Sequence, residues 1–382
     1  MMDNFGRANG AGIGLERAMA VALRAERDRD FRPTLGGYTV GLSSGTSGHR
    51  GLFLASPFEQ AQWAGAVLAR VLHGLPWAQR VAFCLRSFSR LYAAVESPFL
   101  RLRYFDIATE MSALVAGLNG YDPTVLVAPP SLLRLLAEGQ GRGNLRIRPA
   151  RVISVAEVLD ALDRKIIETA FAVRVDQVYQ CTEGFLAASC PHGSLHLQED
   201  IVVVQEVDLP TDGTPGEVGV RRIEPIVTDL WRRTQPIIRY RLNDILWISE
   251  RPCSCGCAFR VIARIEGRRD DMFLLRTRAG SPEVGPVRHI FADSIRTALL
   301  AASPAIRGYH VLQDAEDHWL VSLELEGDAD FTTVSRLVRR SLVALCERLG
   351  CEIPRIDLIP GAPTPRDARG KLRRVERRWN GR

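Results

Sequence analysis

No apolar run in this chain reaches the ~20 residues that a membrane-spanning helix needs, because Arg, Gln or Glu interrupts each one well short of that length. A secretion signal is not expected either, since mixed charges occupy the N-terminal region where such a signal is apolar. The cytoplasm is therefore the expected compartment. Cysteine is scarce, with 8 among 382 residues, which excludes a disulfide scaffold in a chain of this length. Charge of one sign is confined to one place. From Pro365 to Arg382, eight Arg or Lys side chains face only Asp367 and Glu376, an excess that accounts for the whole net charge of +6. This tail has no aromatic residue before Trp379 and so lacks the interleaved rings of a nucleic-acid groove; a nucleic-acid partner is not expected. There is no internal repeat and no low-complexity segment. What remains is 46% hydrophobic, ample for a core, in a length that suits roughly two to three domains.

The order of patterns predicts layers. Gly14 to Asp30 reads as a helix, stopped by Pro33 and Gly36-Gly37. Helices over Glu59 to His73, Met111 to Gly117, Ser131 to Glu138 and Asp160 to Ala170 then alternate with strands over Gln79 to Leu85, Val125 to Ala128, Arg151 to Ser154 and Val173 to Tyr179. Such alternation predicts an α/β architecture. From Gly193 to Trp247 strand follows strand, at Ile201 to Val207, Gly216 to Ile223 and Ile237 to Leu242, which predicts a β-rich subdomain. Arg264 to Asp271 is a charged strand-to-turn segment without an apolar face, and it sets the expected boundary. The remainder has strands at Gly308 to Gln313, Trp319 to Glu324 and Arg355 to Ile359 and a helix at Thr332 to Leu349, and it predicts a small α+β domain.

Five segments carry chemistry. Leu42-Ser43-Ser44-Gly45-Thr46-Ser47-Gly48-His49-Arg50-Gly51 follows a short apolar strand, Tyr38 to Leu42, and combines glycines that admit close backbone approach with hydroxyl donors. The composition serves either a phosphate cradle or a plain turn leading to the next helix. Because His49 and Arg50 follow Gly48, the mononucleotide P-loop spacing is excluded. Val178 to Gly184 ends a strand with a ring at Tyr179, a hydroxyl at Thr182 and a carboxylate at Glu183, enough to stack a base, touch a phosphate and hold a magnesium ion. Arg239 to Asp244 puts a carboxylate at a strand end, where it could accept from two ribose hydroxyls. Gly267-Arg268-Arg269-Asp270-Asp271 joins the two expected domains, and Pro365 to Arg373 places Lys371 after Gly370. Separately, Cys253, Cys255 and Cys257 crowd together; two of them with a distant pair drawn from Cys190, His192 and His196 would suit a closed tetrahedral zinc site.

In their order these segments resemble the adenylate-forming superfamily of acyl-CoA synthetases, nonribosomal adenylation domains and luciferases, and within it the phenylacetate-CoA ligase branch. A further likeness is to a subgroup related to the adenylating enzymes of deazaflavin cofactors. The resemblance covers almost the whole chain. It implies a large N-terminal domain of layered sheets and helices at 1–267 that binds ATP and acid, a hinge at 268–271 and a small mobile α+β domain at 272–382. The implied reaction has two steps. A carboxylate attacks the α-phosphate of ATP to give an acyl-adenylate and pyrophosphate, and a thiol of coenzyme A or of a carrier-protein phosphopantetheine then displaces AMP. The implied acid is aromatic, such as a hydroxybenzoate, held among Ser87 to Tyr92, Ser154 to Glu157 and Tyr179 to Phe185.

Residue roles follow by the same resemblance. Ser43, Ser44, Gly45, Thr46, Ser47 and Gly48 would enclose the β- and γ-phosphates. Tyr179 would lie beside adenine, Thr182 would contact the α-phosphate, and Glu183 would bind magnesium. Asp244 would hold the ribose with Arg268 close by, Asp270 would be the hinge, and Lys371 would bridge the carboxylate and the α-phosphate. The zinc set favoured is Cys190, His196, Cys253 and Cys255. Four features depart from the pattern: His49 stands where many relatives carry Lys, Gln180 replaces a common Gly, Ser154 to Glu157 lacks two glycines, and the chain begins close to its phosphate loop, as a truncated or late-started chain would. Two other readings use the same residues, an enzyme that attaches AMP to a cofactor hydroxyl and a non-enzymatic zinc module that binds nucleic acid through the tail. Nothing in the sequence fixes the oligomeric state.

Overall fold

Five short strands whose side chains point alternately to two sides build the centre of the first half of the protein. In this computed structural model, which describes residues 2–28, 33–42, 51–72, 78–85, 98–209, 219–278, 286–361 and 373–379, the chain divides into two units. The first comprises Met1–Glu206, Ile226–Leu242 and Ser249–Ala263; the second comprises Val207–Pro225, Asn243–Ile248 and Arg264–Arg382.

In the first unit the strands run parallel in the spatial order Leu100–Asp106, Gln79–Leu85, Val125–Ala128, Arg151–Ser154 and Val175–Cys181. One set of side chains, including Ala82, Cys84, Leu126, Ala128 and Val152, is buried with Leu114, Leu118, Leu133 and Ile167 from the helices Met111–Tyr121, Pro130–Gly141 and Ala161–Phe171. The alternate set, Val81, Phe83, Val125, Val127 and Ile153, packs with Ala64 of the helix Pro57–Arg70. Near-continuous apolar strands covered by helices on both faces are what a parallel sheet demands. The sheet then reverses direction. Val175–Cys181 pairs in parallel through Val175 to Gln177 and antiparallel through Val178 to Cys181 with Gly184–Ser189, which is followed by Leu195–Leu197 and the Val261-Ile262 end of Val261–Arg268.

At the N-terminus the helix Leu15–Asp28 covers a three-stranded antiparallel sheet, Thr34–Leu35, Tyr38–Leu42 and Leu52–Ala55. A strand therefore follows the glycine-rich segment where the sequence pattern leads directly to a helix, because Leu52 and Leu54 bury completely against Val40 and the helix. The helix Pro57–Arg70 starts on a capping box in which Ser56 N–H and Oγ–H donate to Glu59 at 2.6 and 2.8 Å and Glu59 N–H donates back at 3.2 Å.

The second unit is built on Ile306–Ala315, paired antiparallel to His318–Leu325 on one side and parallel to Val375–Arg377 on the other, with Arg355–Pro360 beyond. Tyr309, Val311, Trp319 and Val321 are buried with Val338 and Leu342 of the helix Phe331–Arg348 and Ile295 of the helix Ala292–Ala302. Mixed α/β class is thus both the expected and the observed one. Charges in the Arg264 to Asp271 segment do enter the interior, in pairs. Arg222 Nε lies 3.1 Å from Glu266, its guanidinium stacks 4.5 Å from the Trp247 ring and 3.9 Å from Phe291, and Arg264 meets Asp293 at 2.7 Å. Among the described residues no helix is long and apolar enough to cross a membrane.

Candidate active site

Thr182 and Glu183 are the two loop residues of a tight hairpin, since Cys181 pairs with Gly184. Favoured two-residue hairpins use left-handed residues, yet neither residue has a positive φ. A register shift between Tyr179 and Gln180 accompanies this turn, as bulges do where side chains are re-aimed beside a site. Tyr179, Thr182 and Glu183 thus gather at the carboxyl end of a strand, the position where open α/β sheets bind ligands. Gln180 points elsewhere, and its amide oxygen accepts from Trp63 Nε1 at 3.1 Å. Gly184 has a packing reason to be glycine: a Cβ there would meet an Asp229 carboxylate oxygen at 3.0 Å.

Behind the turn lies a polar junction that sequence patterns did not reveal. Arg232 Nη1 donates to the Thr182 carbonyl, and Nη2 donates to Leu54 O at 3.4 Å and Gln235 Oε1 at 3.2 Å. Asp229 accepts from the N–H groups of Trp231 and Arg232 at 2.8 and 3.0 Å, and Glu59 accepts from those of Arg233 and Thr234 at 2.7 and 2.8 Å. Burial lowers the Arg232 pKa, while the charges of Asp229, Glu59, Glu183 and Cys181 act in the opposite direction. The Asp229 pKa is raised by the same burial, against the N–H groups that favour its anion. Tyr240 is pushed up by burial, then by the charge of Glu183, with which its hydroxyl is hydrogen-bonded. Only the adjacency of Arg232 and Arg233 to a tryptophan marked this segment in the sequence, and such a pattern is not specific.

Asp244, Arg268, Asp270 and Asp271 all belong to the second unit. Arg268 Nε lies 3.7 Å from Asp244 Oδ1, and Asn243 Nδ2 donates to Asp270 Oδ2 at 2.5 Å. Asp271 is buried beside Arg373 at 3.1 Å. Burial raises its carboxyl to about 6 despite Arg373 and Arg268, and Glu376 and Asp270 add to the rise. Ser43, Ser44, Gly45, Thr46, Ser47, Gly48, His49, Lys371 and the Ser87 to Tyr92 segment lie outside the described residues.

Cys190, His196, Cys253 and Cys255 converge in the first unit, with all four ligand atoms within 4.8 Å of one another. The two cysteine turns are set by Gly193 N–H to Cys190 O at 2.8 Å and Gly256 N–H to Cys253 O at 3.3 Å. His196 Nδ1 is 2.8 Å from the Phe259 carbonyl, which fixes that nitrogen as the N–H donor and turns Nε2 towards Cys255 Sγ at 3.4 Å. A carbonyl holding the remote nitrogen is the usual support of a metal-ligating histidine. His192 is directed away, to Ser254 Oγ at 2.9 Å, and Cys257 N–H donates to Cys255 Sγ at 3.4 Å.

No family model matches the chain. Phenylacetate-coenzyme A ligase of Thermus thermophilus is 25% identical to it over 287 residues, which is 68% of this chain and 61% of the relative. The chain thus spans less than two thirds of the length of that curated relative. Among solved structures, 2-hydroxyisobutyryl-CoA ligase holding its acyl-AMP superposes with a TM-score of 0.65 at 21% identity, over 88% of this chain and 72% of that one. Anthranilate CoA ligase with anthranoyl-AMP gives 0.56 at 14% identity, over 87% and 66%. The chain is similar in sequence to phenylacetate-CoA ligase and has the fold of the adenylate-forming ligases. Within this fold, one hairpin of the first unit brings Tyr179, Thr182 and Glu183 together, and the second unit brings Asp244, Arg268 and Asp270 together around Asn243.

Proposed function

We propose that this protein activates a carboxylic acid with ATP, forming an acyl-adenylate with release of pyrophosphate, and passes the acyl group to a thiol of coenzyme A or of a carrier protein. The observation that carries the reading is the Thr182-Glu183 turn, set at the carboxyl end of a central strand in a fold shared with ligases whose structures hold acyl-AMP. Thr182 would meet the α-phosphate, Tyr179 the adenine and Asp244 the ribose, with Ser43 to Gly48 around the β- and γ-phosphates. Lys371 would stand between the two anions that must approach each other, where one preorganised cation is most effective as charge develops. The carboxylate of Glu183 is a hard oxygen donor, held by the Tyr240 hydroxyl, and fits a magnesium ion. Magnesium, when bound, supplies charge neutralisation on the phosphates. Asp270 would be the hinge of a mobile domain over 272–382, between the two half-reactions.

The thiolate and imidazole donors of Cys190, His196, Cys253 and Cys255 fit zinc, in a closed set of the structural kind. The acid is proposed to be aromatic, and anthranilate CoA ligase shares the fold. A pyrophosphate-exchange assay over a panel of benzoates, arylacetates and short hydroxy acids tests the reading. The expected result is acid-dependent exchange with at least one panel member and a thioester when coenzyme A is added. AMP-modified product with neither exchange nor thioester would replace it with the adenylyltransferase reading.

A further inference from the structure

The segment Asp229 to Gln235 joins three parts of the first unit, and the proposed reaction gives its central guanidinium no task. Arg232 reaches the Thr182 carbonyl with one nitrogen and Leu54 O and Gln235 Oε1 with another. Gln235 continues the connection, accepting from Leu54 N–H at 2.9 Å and donating to Leu52 O at 3.1 Å. Glu59 closes it from the helix side, through Thr234 Oγ at 2.5 Å and the two N–H groups already described. One end of this network is therefore the hairpin loop at Thr182, and the other is the strand Leu52–Ala55, which follows directly on the glycine-rich segment in sequence.

We propose that Arg232 is a positioning residue for nucleotide binding, its planar fork fixing the Thr182-Glu183 turn against the strand Leu52–Ala55. A hydrogen bond to the Thr182 carbonyl fixes the peptide plane between the two loop residues, and with it the directions in which their side chains leave the backbone. A guanidinium suits this task because its donors are held in one plane and can serve several acceptors at once, whereas an ammonium presents a single nitrogen. Its charge also offsets those of Asp229 and Glu59 in this junction. The inference rests on reading Thr182 and Glu183 as the groups that meet the α-phosphate and magnesium.

The test is calorimetric titration of the full chain with magnesium-ATP, with thermal melts of the same samples and pyrophosphate-exchange rates beside them. Arg232→Lys keeps the charge and removes the fork. It is expected to melt within a few degrees of wild type yet bind magnesium-ATP about tenfold more weakly, with exchange lowered by up to about 10²-fold, the scale of a 1 Å misplacement. Arg232→Gln is expected to show the same binding loss with a lower melting temperature. A lysine variant that binds and turns over like wild type, whatever its melting temperature, overturns the positioning role. A wild type that binds no magnesium-ATP overturns this inference together with the reading beneath it, whereas a binding wild type matched by its lysine variant overturns the inference alone.

Discussion

Of the 50 basic side chains in this protein only Lys165 and Lys371 are lysines. In a chain whose basic residues are nearly all arginine, a lysine follows Gly370, and the two cations differ: arginine offers a rigid fork, lysine a compact charge on a flexible stem. Bridging two reacting anions calls for the second. Lys371→Ala is expected to lower adenylation by about 10²–10³-fold, the loss typical of one preorganised donor, with a smaller effect on thioester formation from preformed adenylate. Arginine should not restore the rate. Pyrophosphate exchange and single-turnover thioester formation check this, and unchanged exchange in the alanine variant removes Lys371 from the site. Lys371, Thr182 and Glu183 were legible as candidates because their types and spacing mark them in one dimension. Arg232 was not, since its contact with Thr182 spans 50 residues and exists only once the sheet and the junction have formed.

At the scale of the element, the 3-10 turn Arg269–Asp271 and the strand Val375–Arg377 carry opposite pH dependences. Burial raises Asp271 to about 6, so its contribution to stability is fully present below its unfolded value near 3.8 and is lost as pH rises through about 6. Glu376 is held down to about 2, first by His310, whose Nε2 lies 3.5 Å from its carboxylate, and then, against burial, by Arg378. Its contribution is present above about 4.5 and is lost as pH falls through about 2. Of these two groups, Asp271 is the one whose contribution changes between about pH 4.5 and 6. Urea unfolding followed by fluorescence should therefore show stability falling over that window in wild type and a flatter profile in Asp271→Asn; an equal slope in both would refute the assignment. Elements were legible where an apolar run was continuous. Gln79–Leu85, Val125–Ala128 and Arg151–Ser154 have the expected bounds because both faces of each strand are buried. Leu100–Asp106 escaped notice, since its Arg101 and Arg103 break the apolar run and the Arg103 guanidinium stacks 5.1 Å from the Phe105 ring. Arg264 to Asp271 read as a charged strand-to-turn segment without an apolar face, because no sequence pattern announces that Glu266, in the strand Val261–Arg268, and Arg222 will be buried as a pair.

For the whole molecule, the order of motifs made the α/β class legible, but a strand carries no mark of the unit it will join. Between Cys190-His196 and Cys253-Cys255 the chain leaves the first unit twice, for Val207–Pro225 and for Asn243–Ile248, and returns each time. A metal ion on these four ligands would close that excursion into a ring, with Cys190 and Cys253 63 residues apart. By analogy with a cross-link, a closed loop of ~60 residues removes about 4 kcal/mol of unfolded-state entropy. At roughly 2–4 °C per kcal/mol for a unit of this size, that is about 10 °C in melting temperature. Protein purified without chelator is therefore expected to hold one zinc per chain by elemental analysis, and stripping it should lower the melting temperature by about 10 °C. The freed Cys190, Cys253 and Cys255 should then react with an alkylating reagent, while Cys84, Cys346 and Cys351 stay protected by burial. Because none of the four ligands is among the residues assigned to ATP, pyrophosphate exchange by the stripped enzyme should persist below the lowered melting temperature. A chelator-free preparation without zinc would leave the ring unclosed, and the cluster would then contribute to stability only through hydrogen bonds such as that of Cys253 with Ser194 at 3.2 Å.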